Sequence, residues 1–133
     1  MIVLDASLVV ELLINGPLAD PIRDDLAKHS GSLGCPHLID VEVASALRKI
    51  TAGRHIDSHH SGRLLEELAQ MPVTRYPHTP LLRRIWELRH NFTAYDAAYI
   101  ALAELTNSTL YTSDEKLSKG HLAAVRVFRA PLQ

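Results

Sequence analysis

The chain has 133 residues, 47% of them hydrophobic and 22% charged, which is the size and composition of one folded domain and excludes a disordered polymer. Its formal charge of −1, from 14 Lys and Arg against 15 Asp and Glu, excludes nucleic-acid binding by bulk charge, so any such binding must come from a local patch of cations. No run approaches the roughly 18 apolar residues that cross a bilayer, and the opening MIVLDASLVVELLI has no basic lead and is broken by Asp5 and Glu11, so neither a membrane span nor a signal peptide is expected.

In chain order, IVLD (2–5) predicts a short strand that turns sharply into the helix SLVVELLI. Pro17 and Pro21 interrupt that pattern, and a second helix is expected from Asp20 as cap with Pro21 at its first position. The side chains Val9, Val10, Leu12, Leu13 and Ile14 exceed what one helical face needs. They predict a dimer or partner surface, with burial in the core as the alternative. LGC (33–35) is the second strand, and the single cysteine, Cys35, reads as a packed thiol in a cytosolic protein. Residues 37–53 carry an apolar stripe including Leu38, Val41, Leu47 and Ile50, with Gly53 as the stop.

A helix capped near Asp57 or Ser58 follows, with Leu64, Leu65 and Leu68 assigned to the core. VTRYP (73–77) is the third strand. Thr79 as N-cap and Pro80 at the first position then open a helix whose Leu82, Trp86 and Leu88 are assigned to packing. AYDAAYIALAEL is the most apolar helix, TLYTS (109–113) the fourth strand and DEKLSK a short helix starting at Asp114. VRVF (125–128) is the last strand, before a tail with Pro131. Strands alternating with amphipathic helices, and no Asn-Gly hairpin, predict an α/β fold: one domain over 1–133, three layers, with a central, mainly parallel sheet covered on both faces.

Four carboxylates share one expected destination. Chemistry in open α/β sheets gathers beyond the carboxyl ends of the strands. Asp5 ends the first strand and Asp114 lies just past the fourth. Asp96 opens the apolar helix that leads into that fourth strand, and Glu42 sits one turn into the helix after the second strand, on a face with Leu38, Ser45 and Ala46 rather than Arg48 and Lys49. Singly, Asp96 and Asp114 are explained as helix-start carboxylates. Asp5 is harder to explain singly, since a charge inside MIVLDASLVV must find partners or lose about several kcal/mol on desolvation. Jointly, converging acids repel one another unless cations join them. Hard ions such as Mg²⁺ or Mn²⁺ take oxygen ligands, activate water and neutralise charge on a phosphodiester.

LDAS, PHLIDVEVASALRK, HNFTAYDAAYIALAE and LYTSDEKL together resemble the PIN domain, and more narrowly the VapC-type toxins of toxin–antitoxin pairs, from residue 1 to about residue 128. The resemblance implies a PIN-like fold and a Mg²⁺- or Mn²⁺-dependent endoribonuclease in the cytoplasm. Its acidic residues fall on Asp5, Glu42, Asp96 and Asp114. Asp5, Asp96 and Asp114 are then the metal ligands, and Glu42 orients or deprotonates the attacking water or holds a second ion. Ser7 and Thr112 match the family's hydroxyl positions, whereas Ser45 stands where members often carry Asn. Implied partners are RNA, a VapB-like antitoxin that enters the acidic site, and a second copy of the chain, giving a homodimer, or a heterotetramer or larger with the antitoxin.

Cations for RNA are available at Arg48, Lys49 and Arg54, and at Arg83, Arg84, Arg89 and His90. Of these, Arg89 and His90 lie nearest in sequence to Asp96. Among eight histidines, His55 and His59 have the i, i+4 spacing of a zinc pair but no supporting ligand. Two rival readings remain: a PIN-like module that binds RNA or protein without cutting, and a phosphatase with Asp5 as nucleophile. The second lacks the nearby second Asp of an Asp-x-Asp enzyme.

Overall fold

The computed structural model describes residues 1–29 and 31–130. Five strands, β1 (Ile2–Leu4), β2 (Leu33–Pro36), β3 (Val73–Tyr76), β4 (Thr109–Thr112) and β5 (Ala124–Val127), form one sheet of order β3-β2-β1-β4-β5. Every neighbouring pair is parallel. The helices are α1 (Ala6–Ile14), α2 (Ala19–Ala27), α3 (Ile39–Ala52), α4 (Ser58–Gln70), α5 (Leu82–Glu87) and α6 (Ala94–Leu105). α6 lies over β1, β2 and β4 with α5 beside it, while α1 crosses β4 and meets α2, α3 and α4. The result is the expected three-layer α/β/α arrangement. Covered strands have no solvent face, so β1 is buried at all three residues and reads as a continuous apolar run rather than an alternation.

Chain order explains where a site must lie. From β1 the chain steps outward to β2 and β3, then returns to β4 on the other side of β1 and continues to β5. The strand order therefore reverses between β1 and β4, and a crevice opens outside their carboxyl ends. α6 is the element that closes against this point. Ala97 to Ala103 are buried without a break. A helix apolar all round is a helix covered all round, and Ala97, Ala98, Ala101 and Ala103 let it approach the sheet closely.

Local expectations fail where packing overrides capping signals. α2 begins at Ala19, not at an Asp20 cap, because the buried Leu18 and Ala19 draw its start into the core. Asp20 then sits inside the first turn and Pro21 at the third position, where no backbone donor is needed. Thr79 is not an N-cap: a 3-10 turn over Thr79–Leu81 precedes α5. Gly53 does end α3, but with φ −77°; the left-handed residue is Arg54, φ 62°.

Leu82 and Trp86 are exposed, at 53% and 67%, and so is Leu65. Ile85 of α5 and the flanking Leu81 and Leu88 face inward, which puts Leu82 and Trp86, four residues apart, on the outer stripe of the helix. In α1 burial prevails: Val9 and Leu13 are core, and Val10, Leu12 and Ile14 pack against it. The thiol of Cys35 is buried, donates to the Leu4 carbonyl at 3.3 Å and is pushed up to about 12 by that burial, as a packed thiol should be. Pro131 lies outside the described residues. Among the described residues no helix is long and apolar enough to cross a membrane.

Candidate active site

Asp5 is the fixed point of the site. Its N–H donates to the Tyr111 carbonyl at 3.1 Å, which continues the β1–β4 pairing one residue past the strand. Its side chain caps α1, with Oδ1 accepting from the Leu8 N–H at 3.2 Å and the Ser7 hydroxyl at 2.6 Å. Oδ2 accepts from the hydroxyl of the fully buried Thr112. Both hydroxyls are used again: Ser7 Oγ accepts from the Ser113 N–H at 3.2 Å and Thr112 Oγ1 from the Asp114 N–H at 2.9 Å. The two hydroxyls thus tie the end of β1 to the turn after β4. Burial pushes the Asp5 carboxyl above the usual range against the pull of these donors, and Asp96 adds to the rise.

Asp96 is not the cap of α6. That role falls to Thr93, whose hydroxyl accepts from the Asp96 N–H at 3.1 Å. The half-buried Asp96 carboxylate is held above its ordinary pKa by burial first and the charge of Asp114 second, against the pull of Lys116 and Thr93. Asp114 starts the 3-10 turn Glu115–Leu117 and accepts from the Lys116 N–H at 2.9 Å. Glu42 rises above its ordinary value through burial, with Asp96 and Asp5 also raising it and Tyr99 lowering it. All four predicted acids meet in one electrostatic cluster.

Ser7, Glu42, Ser45, Lys49, Tyr95 and Ser113 line a cavity of about 680 Å³ beside this cluster. Lys49 belongs to it, against the sequence-based expectation: it is seven residues from Glu42, two helical turns, and so returns to the same face. Arg48 instead borders a separate hollow with Leu47, Thr51 and Leu65. Arg89 lies over the Trp86 ring at 4.4 Å and donates to the Trp86 carbonyl, and His90 is exposed; neither lines the cavity. Arg84 is engaged by Glu104 at 2.6 Å. His55 precedes α4, so its helical spacing to His59 is not realised.

Two residues beside the acids went unmarked in the sequence, the exposed Tyr95 and the buried Tyr99 one turn beyond Asp96, and Lys49, named there as a cation for RNA, was set off the face of Glu42. The available signal was spacing, i+7 from Glu42 and i+3 from Asp96.

The donors of the cluster are all oxygens, which suits a hard divalent cation. Glu42 Oε1 is buried without a hydrogen-bond partner, and beyond burial the acids raise one another, Asp96 and Asp5 acting on Glu42 and Asp114 on Asp96, a repulsion that a cation would relieve. Among the described residues no three acidic, His or Cys side chains close around a common point. A cation here would therefore keep water or phosphate oxygens among its ligands.

Comparison with known proteins follows the same outline. A sequence model of the PIN domain matches residues 2–120. A VapC ribonuclease of Mycobacterium bovis is 42% identical over 118 residues, 89% of each chain. Ribonuclease VapC1 of Mycobacterium tuberculosis is 38% identical over 117 residues, 87% of each. In fold, the chain resembles the VapBC2 structure of Rickettsia felis, bound to a DNA fragment from their promoter. The TM-score is 0.70 at 14% identity, covering 96% of this chain and 98% of that one.

Proposed function

Because the chain belongs to the PIN-domain family, and within it to the VapC ribonucleases, we propose that it is a metal-dependent endoribonuclease and the toxin of a toxin–antitoxin pair. The observation that carries this reading is the convergence of Asp5, Glu42, Asp96 and Asp114, from four separate segments, at the strand-order reversal.

Asp5, Asp96 and Asp114 would hold Mg²⁺ or Mn²⁺, which when bound acidifies a water and offsets charge on the phosphate. Ser7 and Thr112 fix the Asp5 carboxylate, so its oxygens hold their direction when substrate arrives. Glu42 lines the cavity, and burial raises its carboxyl above the ordinary value and so makes it a stronger base, so it orients the attacking water and accepts its proton. Lys49 meets a phosphate of the RNA, and the exposed ring of Tyr95 offers a base a stacking face. Arg89 and His90 lie outside the cavity and serve strands that run beyond it, whereas Arg48 borders a separate hollow and contributes little.

A VapB-like antitoxin is the expected partner, in a heterotetramer or larger built on a homodimer. Leu82, Trp86, Leu105 and Leu122 expose apolar surface that suits such contacts.

The test uses partner-free protein and total cellular RNA, with Mg²⁺ or Mn²⁺ and then with EDTA, beside Asp96→Asn. Discrete cuts that need the metal and vanish in the variant are expected. Folded protein that binds RNA and cuts nothing with either ion would make this a binding module instead.

A further inference from the structure

Among the described residues, two buried side-chain atoms lack a hydrogen-bond partner, Glu42 Oε1 and the Tyr99 hydroxyl. They are neighbours: Tyr99 exerts a hydrogen-bonding pull on Glu42, and Glu42 is the only carboxylate to exert one on Tyr99. They nevertheless do not form a hydrogen bond with each other. Tyr99 is 2% exposed, in the middle of the uninterrupted buried run of α6. At such a position Phe fills the same space and spares the fold an unmet hydroxyl. A group that the fold would be better without calls for a different explanation.

Glu42 supplies one. Oε1 is buried, while the residue also lines the cavity, and Tyr99 is the side-chain hydroxyl that acts on this carboxylate. We propose that Tyr99 is a positioning residue: its hydroxyl donates to Glu42 Oε1 and so aims the other carboxylate oxygen at the attacking water. α6 thereby serves the site twice, through Asp96 at its start and through Tyr99 one turn later. The proposal rests on the ribonuclease reading and on Glu42 as the group that handles the water.

The test is a double-mutant cycle of Tyr99→Phe and Glu42→Gln, with kcat, KM and the unfolding midpoint measured for each protein. Tyr99→Phe should lower kcat by about 10- to 100-fold, the usual loss on removing a partner that orients a site carboxylate. KM should stay within about twofold, and the midpoint should stay level or rise, because an unmet hydroxyl has been removed. In the Glu42→Gln background, with enzyme raised until the residual rate is measurable, the same substitution should cost less than about threefold. An unchanged kcat in Tyr99→Phe overturns the proposal. So does an equal loss in both backgrounds, or a loss that tracks a fall in the midpoint, since Tyr99 would then act on the fold. If the unsubstituted protein cuts no RNA, the ribonuclease reading fails and takes this proposal with it. Normal cleavage by Tyr99→Phe removes this proposal alone.

Discussion

Replacing Thr112 by Val tests the architecture of the site most directly, because the two side chains are nearly isosteric and no cavity is left. Thr112 is fully buried, donates to Asp5 Oδ2 and accepts from the Asp114 N–H. Loss of a hydrogen bond to a charged group costs about 1.5–3 kcal/mol. The orphaned Asp114 N–H adds about 1 kcal/mol, the low end of the range, since water reaches that half-exposed turn. The total is about 2.5–4 kcal/mol. For a domain of this length, that lowers the unfolding midpoint by roughly 10–15 °C. Ser7→Ala is the control. Ser7 also donates to Asp5, at 2.6 Å, but is only half-buried, so water can take its place and the loss should be about 1 kcal/mol. Thermal and urea unfolding followed by circular dichroism, in EDTA at pH 7.5, measures both. A loss below about 1 kcal/mol for Thr112→Val, or one no larger than for Ser7→Ala, refutes the view that buried Thr112 holds Asp5 in place.

The same cluster sets a pH dependence. The folded pKa values of Asp5, Glu42 and Asp96 lie above their ordinary values, so the folded state binds more protons than the unfolded one between the two. Metal-free protein should therefore gain stability from these groups as pH falls from neutral through the raised folded values, until the unfolded carboxylates also protonate near pH 4. A midpoint that falls steadily from pH 7 to 5 would contradict the sign. Mg²⁺ in the millimolar range should raise the midpoint of the unsubstituted protein, by ~2.7 kcal/mol of stability at 100 times Kd. It should leave Asp96→Asn nearly unmoved; equal rises would place the ion elsewhere. Lys49→Ala should weaken RNA binding and reduce the log–log salt slope by about one. Arg48→Ala, which faces a different hollow, should change neither by much in a fluorescence titration with the Asp96→Asn protein.

Local pattern determined most of the elements here. Apolar runs ending in Asp or Pro, and helical spacing between them, give five strands and the helices joining them. Parallel pairing follows because no hairpin signal links any two strands. The four acids were legible for the same reason: each sits where a strand ends or a helix starts, and in a parallel sheet those ends share one edge. Capping was less legible. Leu18 and Ala19 recruit the start of α2 because the core gains from burying them, and this outweighs the cap that Asp20 offers. Six-residue α5 has room for only one inward row, so Leu82 and Trp86 face out although their chemistry is that of core residues.

What only the tertiary structure decided are the contacts between segments distant in the chain. Thr112 meets Asp5 across 107 positions, Lys49 comes round to the cavity that Glu42 lines, and Tyr99 turns its hydroxyl toward Glu42 from another helix. A sequence records which residues recur on one face. It does not record which faces are pressed together. Burial, desolvation and the coupling of carboxylates all come from that pressing together, and so the chemistry of this site does too.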